Sequence, residues 1–153
     1  MKNAVILFFS VIIMCMHSDA SADKYLTVHD AWVLSAPPNA KVLAAYMKIL
    51  NQSSEPRFLT GVTSRRFEKV EMHRTVMQGD VMKMIRQEQM DIPPQGSLSL
   101  EPGSHHLMLI NPKSGLREGD HVYIELRFDN GEAIRVKALV RSAREGRRRG
   151  QHH

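Results

Sequence analysis

Cysteine is nearly missing from this 153-residue chain, and the single one, Cys15, lies in a stretch that the exported protein is not expected to keep. Met1-Lys2-Asn3 is a short positive start, residues 4–16 are apolar and uncharged, and Ala20-Ser21-Ala22 fits the small-x-small rule for signal peptidase. That is the pattern of a secretory signal over residues 1–22, cleaved before Asp23. The apolar run is shorter than the ~20 residues a helix needs to cross a bilayer, so stable membrane insertion is not expected. Met14 precedes Cys15 and is not the small residue that precedes a lipidated cysteine. The mature chain then has no thiol. This excludes disulfides, thiol redox chemistry, a cysteine nucleophile and the blue-copper arrangement, which requires a cysteine sulfur on the metal.

Other absences narrow the field. There is no Gly-x-Ser-x-Gly elbow, no phosphate loop and no pair of carboxylates spaced for acid–base work, so the chain reads as no enzyme. The net charge of +5 and pI of 9.6 suggest a nucleic-acid partner only until the charges are located. Arg141, Arg144, Arg147, Arg148 and Arg149 stand against Glu145 alone at the C-terminal end. Residues 142–153 read as a disordered basic tail, the rest is close to balanced, and no nucleic-acid partner is expected. What remains, residues 23–141, is long enough for one self-sufficient domain, expected as a monomer.

Long helical periods are also lacking. Turn signals recur at Pro37-Pro38-Asn39, Asn51-Gln52-Ser53-Ser54, Gly79-Asp80, Pro93-Pro94-Gln95-Gly96, Pro102-Gly103-Ser104, Asn111-Pro112, Gly119-Asp120 and Asp129-Asn130-Gly131. The segments between them suit strands. Val122, Ile124, Leu126 and Phe128 alternate with Tyr123, Glu125 and Arg127, and Ile134, Val136, Ala138 and Val140 repeat the pattern after the turn. That pair predicts a hairpin with one face on a core. Residues 44–50, 58–62 and 98–100 add strands. Seven to nine short antiparallel strands imply an all-β sandwich or Greek-key barrel.

Seven methionines follow residue 22: Met47, Met72, Met77, Met82, Met84, Met90 and Met108. Singly, each is most simply core filling, because methionine adapts to irregular interiors. As a group they are less ordinary. They replace the branched residues that strands prefer, several sit beside charged residues, and they share their region with histidine. Residues at i and i+2 on a strand lie on one face, so His106-Leu107-Met108 and Met82-Lys83-Met84 each project two donors together. Thioether with imidazole suits Cu(I) far better than zinc, magnesium or calcium.

Ten residues separate His73 from Met84, twenty-one separate Met84 from His106, and one separates His106 from Met108. This array resembles the signature of the periplasmic copper chaperone family PCu(A)C. The flanks agree: Asp30-Ala31-Trp32-Val33 with Ala36-Pro37-Pro38, Ala44-Ala45-Tyr46-Met47, Glu71-Met72-His73, Gly79 to Met84, Pro102-Gly103 to Leu109, and Gly119-Asp120. The resemblance implies a cupredoxin-like β-barrel with Cu(I) near its surface at loop and strand ends, held by His73, Met84, His106 and Met108. It also implies delivery to the binuclear copper centre of cytochrome c oxidase. The implied partners are the oxidase's copper-bearing subunit or a thioredoxin-like Cu assembly factor. Two departures stand out. The family's usual Gly-Gly-Tyr before the second histidine is Gly103-Ser104-His105 here, and a charged element after the tryptophan is reduced to Leu34.

His105 points to the opposite face from His106 and is expected to be solvent-exposed or supporting; His29 and His121 are expected to be structural or exposed. His152 and His153 could give the tail an accessory Cu(II) role. Trp32 is expected to be a core aromatic. Two rival functions share these residues: a periplasmic copper store, and an exported β-sandwich interaction module that binds no metal.

Overall fold

A computed structural model describes residues 25–145. The proposed signal segment with Cys15, and the end of the tail with His152 and His153, lie outside the described residues. Ten strands follow in order: β1 (Leu26–Leu34), β2 (Val42–Asn51), β3 (Arg57–Thr63), β4 (Phe67–Gln78), β5 (Val81–Gln87), β6 (Met90–Ile92), β7 (Gly96–Leu100), β8 (His105–Pro112), β9 (His121–Phe128) and β10 (Ala133–Arg141).

Alternation decides the strands where it is strict. In β9 every second residue from Val122 to Phe128 is buried, and its partner β10 buries Val136, Ala138 and Val140. The two pair antiparallel across the Asp129-Asn130-Gly131 turn, where Gly131 takes φ 82°, a conformation that costs glycine nothing. The Asn111-Pro112 signal behaves differently. Asn111 does adopt φ 52°, but it lies inside the end of β8 and does not terminate it.

The expected barrel or sandwich is realised as one hydrogen-bonded sheet, ordered β5-β4-β8-β7-β2-β1-β10-β9-β3-β6, with β8 also pairing β2. Ten strands form, against the seven to nine expected, the three-residue β6 being too short to show alternation in the sequence. Two pairings are parallel, β1 with β10 and β7 with β8, which a purely antiparallel reading does not foresee. The sheet folds round one apolar core that includes Val33, Ala45, Ile49, Met72, Leu107, Leu109, Ile124 and Val140. Each fully buried leucine or isoleucine contributes about 1.5–3 kcal/mol. Met47, Met72 and Met90 belong to this core, so packing does account for three of the seven methionines.

Buried Asn51 ties the loops at one end. Its Nδ2 donates to the carbonyls of Glu55 at 2.8 Å, Pro93 at 3.1 Å and Ile92 at 3.3 Å, while its Oδ1 accepts from Ser53. A buried amide costs little only when its donors and acceptors are matched in this way.

Candidate metal centre

Three neighbouring strands build the site. β8 lies between β4 and β2, and β5 is the outer neighbour of β4. In the β4–β8 ladder His73 stands directly opposite His106, Glu71 opposite Met108, and Met72 opposite Leu107. In the β4–β5 ladder His73 faces Arg86 and Thr75 faces Met84. Because side chains alternate, Glu71, His73, Thr75, Met84, Arg86, His106 and Met108 share one face. Met72 and Leu107 point the other way, into the core. Sequence spacing of ten, twenty-one and one thus becomes a single patch.

The histidine pair is its centre. The rings lie 5.9 Å apart between centroids, tilted by 33°. Both are buried, at 8% and 5% exposure. Each ring has one nitrogen committed to the protein. His106 Nδ1–H donates to the Ser104 carbonyl at 3.1 Å, which leaves Nε2 as the lone-pair nitrogen. His73 Nε2–H donates to Glu71 Oε2 at 2.8 Å. His73 Nδ1 is buried and has no hydrogen-bond partner. An unpartnered buried imidazole nitrogen is costly unless something else occupies its lone pair. A carboxylate or carbonyl gripping the far nitrogen is the arrangement that orients histidines toward metals.

Glu71 is held firmly as a carboxylate. Hydrogen bonding from Lys69 and then from His73 pulls its pKa down to about 2, against a smaller opposing effect of burial; the charges of Lys69 and Arg86 add to the lowering. Arg86 Nη1 lies 3.8 Å from Glu71 Oε1. His105 sits opposite Arg74, on the other face as expected. Partial burial lowers its pKa, with Arg74 and His106 repelling the proton further.

The two methionines are not placed alike. Met108 follows His106 by two residues on β8, half-buried, and also faces Ala44 of β2. Met84 is 58% exposed on the edge strand. It flanks the histidines on the side opposite Met108, two strands over and four positions along. His73, His106 and Met108 stand on adjacent rungs of β4 and β8, and Met84 lies on the same face of the neighbouring edge strand β5.

Two features of this face escape a reading of the sequence for donor atoms. One is Glu71, although Glu71-x-His73 obeys the same i, i+2 rule that pairs His106 with Met108. The other is Trp32. It is buried, yet it does not join the core cluster. Trp32 pairs with Tyr46 in register, their ring centroids 4.7 Å apart. Ala45 pairs with Leu107, so the next residues, Tyr46 and His106, leave the β2–β8 ladder together on the site's face. Trp32 is thus buried, as expected, and packs against Tyr46 beside the main cluster. His29 is exposed in β1 and bonded to Thr27 Oγ1 at 3.0 Å, and His121 is exposed at the start of β9.

Among the described residues no group of three or more His, Cys, Asp or Glu gathers to hold a metal. The family model described as "Putative lipoprotein LpqE-like" matches residues 26–140, from the first strand to the last. This chain belongs to the LpqE-like family. A Leifsonia xyli subsp. xyli (strain CTCB07) member of similar sequence, "Putative lipoprotein Lxx21020", is 30% identical over 115 residues, 74% of this chain and 68% of that protein. "Uncharacterized protein RP573" of Rickettsia prowazekii (strain Madrid E) is 31% identical over 101 residues, 63% of this chain and 54% of its own length.

The LpqE-like chain also resembles solved PCu(A)C domains, as the resemblance in sequence implies. The solution structure of Cu(I)-DR1885 from Deinococcus radiodurans superposes with a TM-score of 0.61 at 30% identity, over 82% of this chain and 84% of that one. The copper-bound PCuAC domain from PmoF2 gives a TM-score of 0.67 at 20% identity, over 77% and 93%. The fold is therefore the cupredoxin-like β fold of PCu(A)C domains. Among the described residues no helix is long and apolar enough to cross a membrane.

Proposed function

We propose that this chain is an exported carrier of Cu(I), binding the ion through His73 Nδ1, His106 Nε2 and the thioethers of Met108 and Met84. The observation that carries the reading is the cross-strand histidine pair. Each ring has one nitrogen tied down by the protein, and the buried Nδ1 of His73 has no partner at all. Neutral imidazole and thioether donors fit a soft monovalent ion and disfavour Cu(II), so the ion is carried without redox turnover. The likeness to a copper-bound PCu(A)C domain and to Cu(I)-DR1885 supports the same cargo.

Exposure of Met84 on an edge strand supports a role as the movable donor. His73, His106 and Met108 receive the ion first; the β4–β5 hairpin then bends toward β8 and brings Met84 across it. Release runs backwards, with a partner's ligand taking the place of Met84. The recipient in this reading is the binuclear copper centre of a cytochrome c oxidase, reached directly or through a thioredoxin-like assembly factor. Residues 1–22 direct export to the periplasm, residues 23–141 form the carrier domain, and residues 142–153 are a tail.

Anaerobic Cu(I) competition against a chromophoric chelator tests binding. One tight equivalent, lost in His73→Ala and in His106→Ala, is expected; an unchanged affinity in both variants overturns the assignment. Delivery is tested by mixing the Cu(I)-loaded chain with the copper-free soluble domain of an oxidase subunit. Copper is expected to move to that domain, and retention by the chain favours storage.

A further inference from the structure

The β4–β5 hairpin carries more sulfur than one site needs. Gly79 takes φ 62° at the first of its two turn positions while Asp80 keeps a negative φ, the pattern of a type II′ turn. Gln78 and Val81 flank that turn as the closing pair, so Met77 and Met82 are the next pair in register. In an antiparallel ladder hydrogen-bonded and non-hydrogen-bonded pairs alternate. The pair after the closing one is therefore non-hydrogen-bonded, with Cα atoms near 4.5 Å and side chains at their closest. Met84 follows Met82 by two residues on the same face and is the diagonal neighbour of Met77, within reach of long side chains.

All three thioethers are solvent-exposed: 64% for Met77, 64% for Met82 and 58% for Met84. They pack against no core, so filling space does not explain them. Branched residues would suit an exposed strand better, and polar ones would protect an unpaired edge. No cationic side chain shares this face at the tip. Lys83 pairs with Val76 on the opposite face and bonds to Gln78, and Arg86 lies beyond Met84 at the level of His73. A monovalent ion there meets soft donors, with Arg86 the next same-face residue beyond Met84 and away from the Met77–Met82 pair. Two thioethers on a closest-approach pair are long and flexible enough to share one ion at a metal–sulfur distance near ~2.3 Å.

We propose that Met77, Met82 and Met84 form a second, thioether-only site for a soft monovalent ion, from which Cu(I) passes to the histidine pair by exchange of ligands. Met84 belongs to both sites and is the donor that carries the ion across. Copper stays monovalent throughout; the bonds to Met77 and Met82 are given up as bonds to His73, His106 and Met108 form, and Met84 stays bound. The inference rests on the chain being a Cu(I) carrier. Once the first equivalent has taken Met84, a second is held by Met77 and Met82 alone and more weakly than in the mixed site, so it binds after the first.

The test is an anaerobic Cu(I) titration of the full mature chain labelled with 13C at the methionine methyl groups. The first equivalent is expected to shift Met84, Met108 and the rings of His73 and His106, and the second to shift Met77 and Met82. The Met77→Leu/Met82→Leu variant is expected to lower the stoichiometry from about two to about one while leaving the first equivalent's affinity within about twofold. Saturation at one equivalent overturns the proposal. So does a second equivalent that leaves Met77 and Met82 unmoved, such as one taken by the tail histidines. The titration of the unaltered chain decides this even if the variant folds poorly. Failure of the first equivalent to shift the two histidines would refute the carrier site instead, a separate outcome in the same spectra.

Discussion

Replacing Glu71 separates the carrier site from a mere pair of neighbouring histidines. Its carboxylate receives Nε2–H of His73 at 2.8 Å, which fixes the ring and leaves Nδ1 as the free lone pair. Such a bond to a charged acceptor is worth about 1.5–3 kcal/mol. Removing an outer partner of a ligating histidine typically costs 10–100-fold in metal affinity. Glu71→Gln keeps an acceptor but loses the charge, so a loss of about tenfold, ~1.4 kcal/mol, is expected. Glu71→Ala removes both and should approach ~100-fold. Cu(I) competition with a chelator at pH 7 measures each, and Arg86→Gln serves as the control for field effects. Losing Glu71 also uncovers the charges of Lys69 and Arg86, which repel a cation. Removing Arg86 alone should therefore leave affinity unchanged or raise it by up to about threefold, since exposed charges are strongly screened. If Glu71→Gln binds within twofold of the original chain, or if Arg86→Gln weakens binding as much as Glu71→Gln does, the orienting role of Glu71 is wrong.

Other outcomes follow from the same geometry. Met108→Leu should keep the fold at a cost under ~1.5 kcal/mol, because the swap conserves volume, while weakening Cu(I) at least tenfold; chemical denaturation and chelator competition read the two effects. Met84→Ala, at an exposed site, should change stability by less than about 0.5 kcal/mol, whereas Leu107→Ala, fully buried on β8, should cost about 2–5 kcal/mol in urea melts. Glu71 has a folded pKa of about 2, below its ordinary 4.5, so it stabilises the copper-free fold above pH 4.5 and that contribution drains away as pH falls toward 2. Glu71→Gln should flatten the acid limb of the stability curve; an identical limb would show that the carboxylate gains nothing on folding. Asn51→Leu should destabilise by several kcal/mol, near 3, since it strands three carbonyls and Ser53.

Strict alternation made β9 and β10 legible, and the i, i+2 rule made His106 and Met108 legible as a pair. What the sequence does not carry is register. Nothing local says that His73 stands opposite His106; that follows only when β4 and β8, with residues 79–104 between them, align in the folded sheet. The parallel pairing of β1 with β10 is equally non-local, joining the two ends of the domain. Hydrophobicity foretells that Trp32 is buried but not which sheet face it takes; its partner Tyr46 alternates with the core residues Ala45 and Met47, so the aromatic pair lies on the opposite face from them. Met84 fits the family spacing, and its place on the face of the histidines follows only from the pairing of β5 with β4.

X-ray absorption at the copper edge, on the mature chain holding one equivalent of Cu(I), tests the central claim most directly because it counts neighbours by element. Two nitrogen and two sulfur scatterers are predicted, with one sulfur lost in Met108→Leu and one in Met84→Leu. A shell of nitrogen and oxygen alone, or one that is the same in both variants, would contradict a site made of two imidazoles and two thioethers.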